Sequence, residues 1–261
     1  LSRNQKIQRH QNIHRQGQDH KKGKRLLAKQ CVIRSPEIAV AASIGKTKLK
    51  ISARPRIALI STGDEIIPVG RKIKPYQIRM SNSHFMKSLL DRSKLFEIKI
   101  FHLKDNKRTM YVRLKTVLKE FDGLVLTGGV SMGKTDLVPQ VLKELGVRVL
   151  FHKVKQRPGK PFWFGKSQKG QPVFALPGNP VSTQVGTLRY VLPAWYKSLG
   201  AKNDITEKAV LHQSFQPGTQ FTFFAPVTLS TSTRGNLHAK PVPFTVSGDF
   251  AIMAQSDGIM E

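Results

Sequence analysis

The stretch LVLTGGVSMGKTDLVP, residues 124–139, contains the pattern that decides the fold. Four residues typical of a buried strand lead into Gly128 and Gly129, and a hydroxyl, a third glycine and an acid follow at Ser131, Gly133 and Asp136. Glycine lets backbone N–H groups come close to a ligand, and the N-terminus of a following helix favours an anion. The stretch therefore predicts a strand, an anion-binding loop and a helix, in that order.

The same alternation of strands and helices extends to both sides of this stretch. Short continuous apolar runs such as RIALIS indicate strands that are buried on both faces. We predict strands at 56–61, 96–103, 123–129, 147–154 and 171–178. Helices are predicted at 35–45 with Ser35 as N-cap, and at 81–92, 106–120, 135–146 and 181–198. This order predicts an α/β fold with a mainly parallel sheet flanked by helices.

Changes in composition divide the chain into three predicted parts. Residues 1–53 are basic and polar and form a partial N-terminal segment, and residues 54–202 form the α/β domain. Residues 203–261 are rich in strand-forming residues, without a long helix, and contain turn signals at Pro217-Gly218 and Arg234-Gly235. We interpret this last part as a small C-terminal β domain.

The charge balance is strongly basic. The chain has 44 Lys+Arg and 16 Asp+Glu, a net charge of +28 and an isoelectric point near 10.6. Such a chain is expected to attract polyanions without sequence preference. No basic cluster is interleaved with aromatic residues, and no zinc-finger, RRM or KH signature is present, which argues against dedicated nucleic-acid recognition.

The sequence offers few signs of targeting. It has no run of 18 apolar residues, so no transmembrane helix is expected. It begins at Leu1 without an apolar h-region, and we interpret this beginning as the middle of a longer gene product rather than a signal peptide. A lone Cys31 excludes an internal disulfide and fits a reducing compartment, so we expect a cytoplasmic protein without membrane insertion.

Polar residues follow three predicted strands at the point where each strand ends. These strand exits are STGDE (61–65), TGGVSMG (127–133) and LPGNPVS (176–182). Ligands of open α/β sheets lie beyond the carboxyl ends of the strands, so the three exits predict one shared ligand crevice. The segment KQRPGKPFWFG adds Lys155, Arg157 and Lys160, and a solvated basic turn is the alternative reading of that segment.

Three of the few acids, Glu65, Asp105 and Asp136, come just after predicted strands or at helix starts. Asp105 and Asp136 are open to interpretation as N-caps. The alternative is a Mg²⁺ site, because carboxylate oxygens beside a phosphate are the ligands that Mg²⁺ uses. The eight His residues show no zinc-binding spacing, and Ser131 lacks the G-x-S-x-G elbow of a nucleophilic serine.

Five motifs in fixed order resemble the molybdopterin molybdenumtransferase family, the MoeA type to which the gephyrin E domain also belongs. They are RPRIALISTGDEIIPVG, QIRMSNS, DGLVLTGGVSMGKTDLVP, RPGKPFWFG and VFALPGNPVS. The resemblance extends over about residues 15–261 and includes GQDHKKG and the closing SGDFAIMAQSDGIME. The family's N-terminal half is absent from these 261 residues.

The resemblance implies a reaction in which adenylylated molybdopterin and molybdate give molybdenum cofactor and AMP with the help of Mg²⁺. It also implies a homodimer, and an adenylyltransferase is a possible partner. The acidic positions that match the family's active site are Glu65, Asp105, Asp136 and Asp19, the first three also as metal ligands. The positions that match ligand-binding ones are Thr62, Gly63, Asn82, Gly128, Gly129, Ser131, Gly133, Arg157, Lys160, Gly178, Asn179 and Ser182.

Two positions depart from the family pattern. Met80 stands where the family usually has Asp before Ser-Asn, and Lys134 stands where its loop typically carries an acid. These departures leave two alternatives to the enzyme: a degenerate paralogue that binds a pterin or nucleotide without turnover, and a scaffold of the gephyrin kind.

Overall fold

A computed structural model of the chain describes residues 9–130, 137–201, 207–216, 220–243 and 247–261. The chain divides into two compact units, one of Leu1–Ile51 with Gly200–Lys202 and one of Ser52–Leu199 with Asn203–Glu261. The predicted boundary near residue 53 lies close to the division between these units. The predicted separation of residues 203–261 from the α/β domain stays a prediction.

The described elements alternate between strands and helices through the larger unit. The strands are β1 (Arg56–Thr62), β2 (Ile66–Ile67), β3 (Ile78–Arg79), β4 (Glu97–Leu103), β5 (Gly123–Thr127), β6 (Arg148–His152), β7 (Gln156–Arg157), β8 (Trp163–Lys166), β9 (Pro172–Leu176), β10 (Val210–Leu211), β11 (Thr222–Phe223), β12 (Ala225–Thr231), β13 (Leu237–Pro241) and β14 (Gly258–Met260). The helices are α1 (Ser35–Ser43), α2 (Asn82–Asp91), α3 (Lys107–Glu120), α4 (Leu137–Glu144), α5 (Pro180–Gly186) and α6 (Leu192–Ser198), with a π-helical turn at Thr187–Val191 and a 3₁₀ turn at Ile252–Gln255.

The central sheet has six strands in the order β4-β1-β5-β9-β8-β6. The first four strands of this order are parallel, which confirms the predicted α/β fold with a mainly parallel sheet. The other two are antiparallel to their neighbours. Strand β8 lies inside a segment that the sequence analysis treated only as a basic turn, because its apolar run of Trp163 and Phe164 is too short to predict a strand.

Alternate residues of the parallel strands build a separate core on each face of the sheet. On one face Ala58 and Leu126 are fully buried against apolar residues of α3 and α4. On the other face Leu59 and Val125 are fully buried against α2 and α6, where Trp195 packs close to Gly123. Burial on both faces explains why these strands read as continuous apolar runs.

The C-terminal sheet has the strand order β10-β13-β12-β14. Strands β12 and β13 are antiparallel and are joined by the predicted turn at Arg234-Gly235, where Gly235 has a φ of +80°. A small core joins this part to the α/β part, because Phe224 and Ile252 pack with Val181 and Val185 of α5. The predicted turn at Pro217-Gly218 lies outside the described residues.

The start of α1 corrects one prediction. The N-cap is Arg34 rather than Ser35, because the Glu37 carboxylate accepts hydrogen bonds from the Arg34 backbone N–H at 2.8 Å and from its guanidinium at 2.9 Å. This guanidinium lowers the pKa of Glu37 to about 2. No helix within the described residues is long and apolar enough to cross a membrane.

The layered core leads to a stability prediction for Leu126, which is fully buried in β5 between β1 and β9. We expect Leu126→Ala to lower the free energy of unfolding by about 2–5 kcal/mol, because the cavity is enclosed on all sides. Urea denaturation followed by circular dichroism measures this loss.

The matched control is Leu150→Ala on the edge strand β6, where the side chain is 44% exposed. This substitution should change the free energy of unfolding by no more than about 0.5 kcal/mol. Equal losses for the two variants would contradict the placement of β5 at the centre of the sheet.

Candidate functional site

The exits of β1, β5 and β9 meet at one edge of the central sheet. The Thr62 hydroxyl donates to the Thr127 carbonyl at 3.4 Å, and the Gly128 N–H donates to the Leu176 carbonyl at 3.1 Å. The parallel register pairs Ser61 with Thr127 and Thr127 with Leu176, so all three strands end at the same level. The structure therefore brings together the three exits that the sequence predicted to share a crevice.

Close backbone approach at this edge requires glycine. Gly128 has a φ of +89°, and a Cβ added there would lie 2.7 Å from the Thr62 carbonyl oxygen. Gly129 has a φ of +62°, and an added Cβ would lie 2.8 Å from a methyl group of Val138. Gly178 of the β9 exit faces Gly128, with 3.6 Å between an added Cβ and the Gly128 Cα. No side chain fits between the first two exits, which leaves backbone groups to form the floor of the site.

Asn82 fixes the β9 exit from the neighbouring helix. It is the first residue of α2, and its side-chain N–H donates to the Gly178 carbonyl at 2.7 Å. Beneath it the Ser83 and Ser61 hydroxyls form a buried hydrogen bond of 2.6 Å. The predicted ligand position Asn82 thus has a direct contact with the predicted ligand loop at Gly178.

The acidic residues lie on the exits of β1 and β4, which are linked by three hydrogen bonds. The Gly63 N–H donates to the Leu103 carbonyl at 3.2 Å, and the Asp105 N–H donates to the Asp64 carboxylate at 3.3 Å. The third bond joins His102 Nε2 to the Gly63 carbonyl at 2.9 Å. His102 is not among the predicted site residues, because a His within an alternating strand has no motif that marks it.

The side chain of Glu65 folds back over the start of its own loop. Its carboxylate oxygens lie 2.6 and 2.7 Å from the position of a Cβ added to Gly63. Glu65 and Asp105 are exposed, and Asp105 is not a helix cap, because the N-cap of α3 is Asn106. The cap interpretation of Asp105 is therefore wrong.

The described residues contain no group of three or more His, Cys, Asp or Glu side chains that could hold a metal ion. Mg²⁺ keeps several waters and uses only one or two carboxylates when a substrate phosphate completes its shell. Exposed carboxylates on two linked loops, Glu65 and Asp105, fit that requirement. The predicted third ligand, Asp136, lies outside the described residues together with Ser131, Gly133 and Lys134.

The basic turn from Arg157 to Lys160 lies beside α5, which follows the β9 exit. An added Cβ at Gly159, whose φ is +92°, would lie 3.7 Å from the Ser182 carbonyl. The turn is held on its outer side by the Phe224 N–H, which donates to the Arg157 carbonyl at 2.8 Å. Lys160 Nζ lies 5.2 Å from the centroid of the Phe221 ring. The turn therefore lies next to the helix that follows the β9 exit.

Neither Arg157 nor Lys160 forms an ion pair with a carboxylate in the part of the chain that the structure describes. Their side chains are exposed, whereas Ser182 is only 4% exposed. Asn179, predicted to bind ligand, donates instead to the Ser247 hydroxyl at 2.8 Å. Two unpaired cations on a folded turn leave positive charge for an oxyanion.

Asp19 belongs to the smaller unit, where its carboxylate lies 2.9 Å from His14 Nε2. Its role as a catalytic residue stays a prediction.

Comparison with known proteins agrees with this geometry. Residues 58–197 match the sequence model of a family described as a probable molybdopterin binding domain. The chain belongs to this family. The matched residues run from β1 to α6 and so include the three strand exits and the basic turn.

Individual relatives of this molybdopterin-binding family extend the match beyond the domain. The chain is 34% identical over 250 residues to a molybdopterin molybdenumtransferase of Synechocystis sp., covering 95% of this chain and 62% of that protein. It is 34% identical to one of Staphylococcus epidermidis, covering 96% of this chain and 60% of that protein. Among solved structures, a molybdopterin biosynthesis MoeA protein of Pyrococcus horikoshii matches with a TM-score of 0.71 and 31% identity, covering 86% of this chain and 54% of that chain.

The resemblance to the MoeA type is thereby confirmed. The chain spans about three fifths of the length of the curated relatives that it matches. The fold and the family are established by these matches.

The close approach of the β1 and β5 exits predicts the effect of a single methyl group. We expect Gly128→Ala to lower the free energy of unfolding by about 1–3 kcal/mol more than Gly170→Ala, because a Cβ at Gly128 overlaps the Thr62 carbonyl. Gly170 is the matched control, since its φ is +80° and an added Cβ there would have nothing within 4 Å.

Urea denaturation of both variants measures the difference. The backbone strain of a positive φ is common to the two substitutions and cancels in the comparison. Equal losses would show that the two exits are not in contact.

Proposed function

We propose that this chain carries the catalytic domain of a molybdopterin molybdenumtransferase, which inserts molybdate into adenylylated molybdopterin and releases AMP. The observation that carries the proposal is the convergence of three glycine-containing strand exits, with a basic turn next to the β9 exit whose cations form no ion pair within the described residues. The similarity to molybdenumtransferases of two bacteria supports it. Substrates of this class carry negative charge on both sides of the bond that reacts. A surface of backbone N–H groups and basic side chains is suited to bind such charges.

Each part of the surface has a proposed role. The backbone at Gly128 and Gly129 approaches the pterin phosphate, because no side chain separates it from a ligand. Arg157 and Lys160 hold molybdate and phosphate through charge-assisted hydrogen bonds. Glu65 and Asp105 would hold Mg²⁺, which when bound neutralises negative charge on the phosphoanhydride.

We further propose Mg²⁺ dependence, a homodimer and a cytoplasmic location, with an adenylyltransferase as the source of the activated pterin. The family resemblance supports the homodimer and this partner. The single Cys31 supports a reducing compartment. Light scattering of the purified chain measures the oligomeric state directly.

A second candidate function is the binding of a pterin or nucleotide without turnover. Met80 favours it: the side chain is 7% exposed, and a buried thioether does not replace a carboxylate as a Mg²⁺ ligand. In this case the same surface binds the phosphate, but the bond to AMP is not broken.

The release of AMP distinguishes the two functions. Purified protein is incubated with adenylylated molybdopterin and molybdate, with and without Mg²⁺, and AMP is measured by chromatography. The transferase predicts Mg²⁺-dependent AMP release that is lost in Glu65→Gln and retained in Glu120→Gln, an exposed acid at the end of α3. Binding of the pterin without AMP release would favour the second function.

The basic turn predicts a loss of oxyanion affinity when its lysine is removed. We expect Lys160→Ala to weaken molybdate binding by about 1.5–3 kcal/mol, the usual contribution of a hydrogen bond to a charged group. Titration calorimetry with sodium molybdate measures the affinity. Lys169→Ala, an exposed lysine in the turn between β8 and β9, is the control and should bind as the unmodified chain does. An unchanged affinity in Lys160→Ala would identify the segment as a solvated turn.

A further inference from the structure

A buried glutamine lies under the basic turn. Gln156 is 3% exposed and directly precedes Arg157 in β7. Its side-chain N–H donates to the Pro158 carbonyl at 2.9 Å, and its side-chain oxygen accepts a hydrogen bond from the Tyr190 hydroxyl. A buried amide with both ends bonded has a fixed orientation, because losing either partner leaves an unsatisfied polar group.

The glutamine amide is also packed against the tip of the turn. Gln156 Nε2 lies 2.6 Å from the position of a Cβ added to Gly159. Gly159 has a φ of +92°, which residues with a side chain rarely adopt. The backbone of the turn therefore closes directly over the amide, with no space for a side chain between them.

Tyr190 connects this amide to the core. It lies in the π-helical turn Thr187–Val191, and such turns are frequent at functional sites. Its ring stacks on Phe162 with 4.7 Å between centroids, and Phe162 is 2% exposed. Burial raises the pKa of the Tyr190 hydroxyl above its ordinary value, so the hydroxyl stays protonated and donates throughout the neutral range.

We propose that Gln156, oriented by Tyr190, is a positioning residue that fixes the turn from which Arg157 and Lys160 bind an oxyanion. This inference rests on the proposed function, because it assigns to that same turn the element that preorganises it. Two cations on one turn bind a tetrahedral oxyanion together only if the backbone between them is fixed, since each degree of freedom frozen on binding reduces affinity. The buried amide removes that freedom before the ligand arrives.

A second glutamine serves as a matched control that distinguishes a positioning role of Gln156 from a general effect on stability. Gln171 also donates from its side-chain N–H to backbone carbonyls, at 2.9 Å to Leu118 and at 2.5 Å to Phe121. It directly precedes the first residue of β9, at the end of the sheet opposite the strand exits. Gln156→Leu and Gln171→Leu therefore remove the same kind of hydrogen bond, but only the first is at the turn.

The first measurement is molybdate binding by titration calorimetry. We expect Gln156→Leu to weaken binding by about tenfold, the loss for a weakened charge-assisted hydrogen bond, and Gln171→Leu to bind as the unmodified chain does. Tyr190→Phe should weaken binding in the unmodified chain but have no further effect in Gln156→Leu, because the hydroxyl acts through the amide. Equal losses in Gln156→Leu and Gln171→Leu would overturn the positioning role.

The second measurement needs no ligand. The Val154 and Phe224 N–H groups donate to the Lys160 and Arg157 carbonyls at 3.0 and 2.8 Å, so their hydrogen exchange reports on the turn. Exchange at both amides should accelerate in Gln156→Leu and not in Gln171→Leu, and unchanged rates would overturn the inference.

The two measurements together distinguish failure of the inference from failure of the proposed function. If the unmodified chain binds no molybdate while exchange accelerates as expected, the proposed function fails, but Gln156 still fixes the backbone of the turn. If Lys160→Ala weakens binding and Gln156→Leu does not, the inference alone fails.

Discussion

The in-register parallel pairing of β1, β5 and β9 is the constraint on which the rest of the structure depends. The three strands end at the same level because of this pairing. As a result the Gly128 backbone lies against the Thr62 carbonyl and faces Gly178 of the β9 exit. Side chains cannot form a surface where backbones approach this closely. The pairing is itself maintained by the apolar layers on both faces, and so the site depends on the same core that stabilises the fold.

The cationic side of the site depends on a different connection. The turn that carries Arg157 and Lys160 does not follow a strand of the central sheet. It follows β7, which pairs in parallel with β11 of the C-terminal segment, and the Gln156 side chain hydrogen-bonds to it. Tyr190 stacks on Phe162, which belongs to the core between the sheet and α6. The strand exits and the basic turn are thus fixed by different hydrogen bonds but rest on the same apolar core, because Phe162 packs in the cluster that contains Leu59 and Val125.

The sequence predicted the parallel strands well because burial on both faces leaves an unbroken apolar run, as in RIALIS. It did not predict β7, since a strand of two residues is defined by its partner and not by a pattern. Gly128, Gly178 and Asn82 were predicted through motifs, and the structure brings them together at one edge of the sheet. Gln156 and His102 were not found, because a single buried polar residue in a strand has no periodic or motif signal, and only the tertiary contacts reveal its partners.

The charge of the chain adds a physical reason for the acids at this edge. With 44 Lys+Arg and 16 Asp+Glu, the field of the protein draws anions to most of its surface, and an anionic substrate gains little selectivity from positive charge alone. Exposed carboxylates at Glu65 and Asp105 oppose that field locally, so a phosphate approaches them favourably only with a cation between. Under the proposed function, the basic turn attracts a bare anion whereas the acids repel it, and a metal-bound phosphate is accepted by both. In that proposal the acids, rather than the abundant lysines, are the source of selectivity at the site.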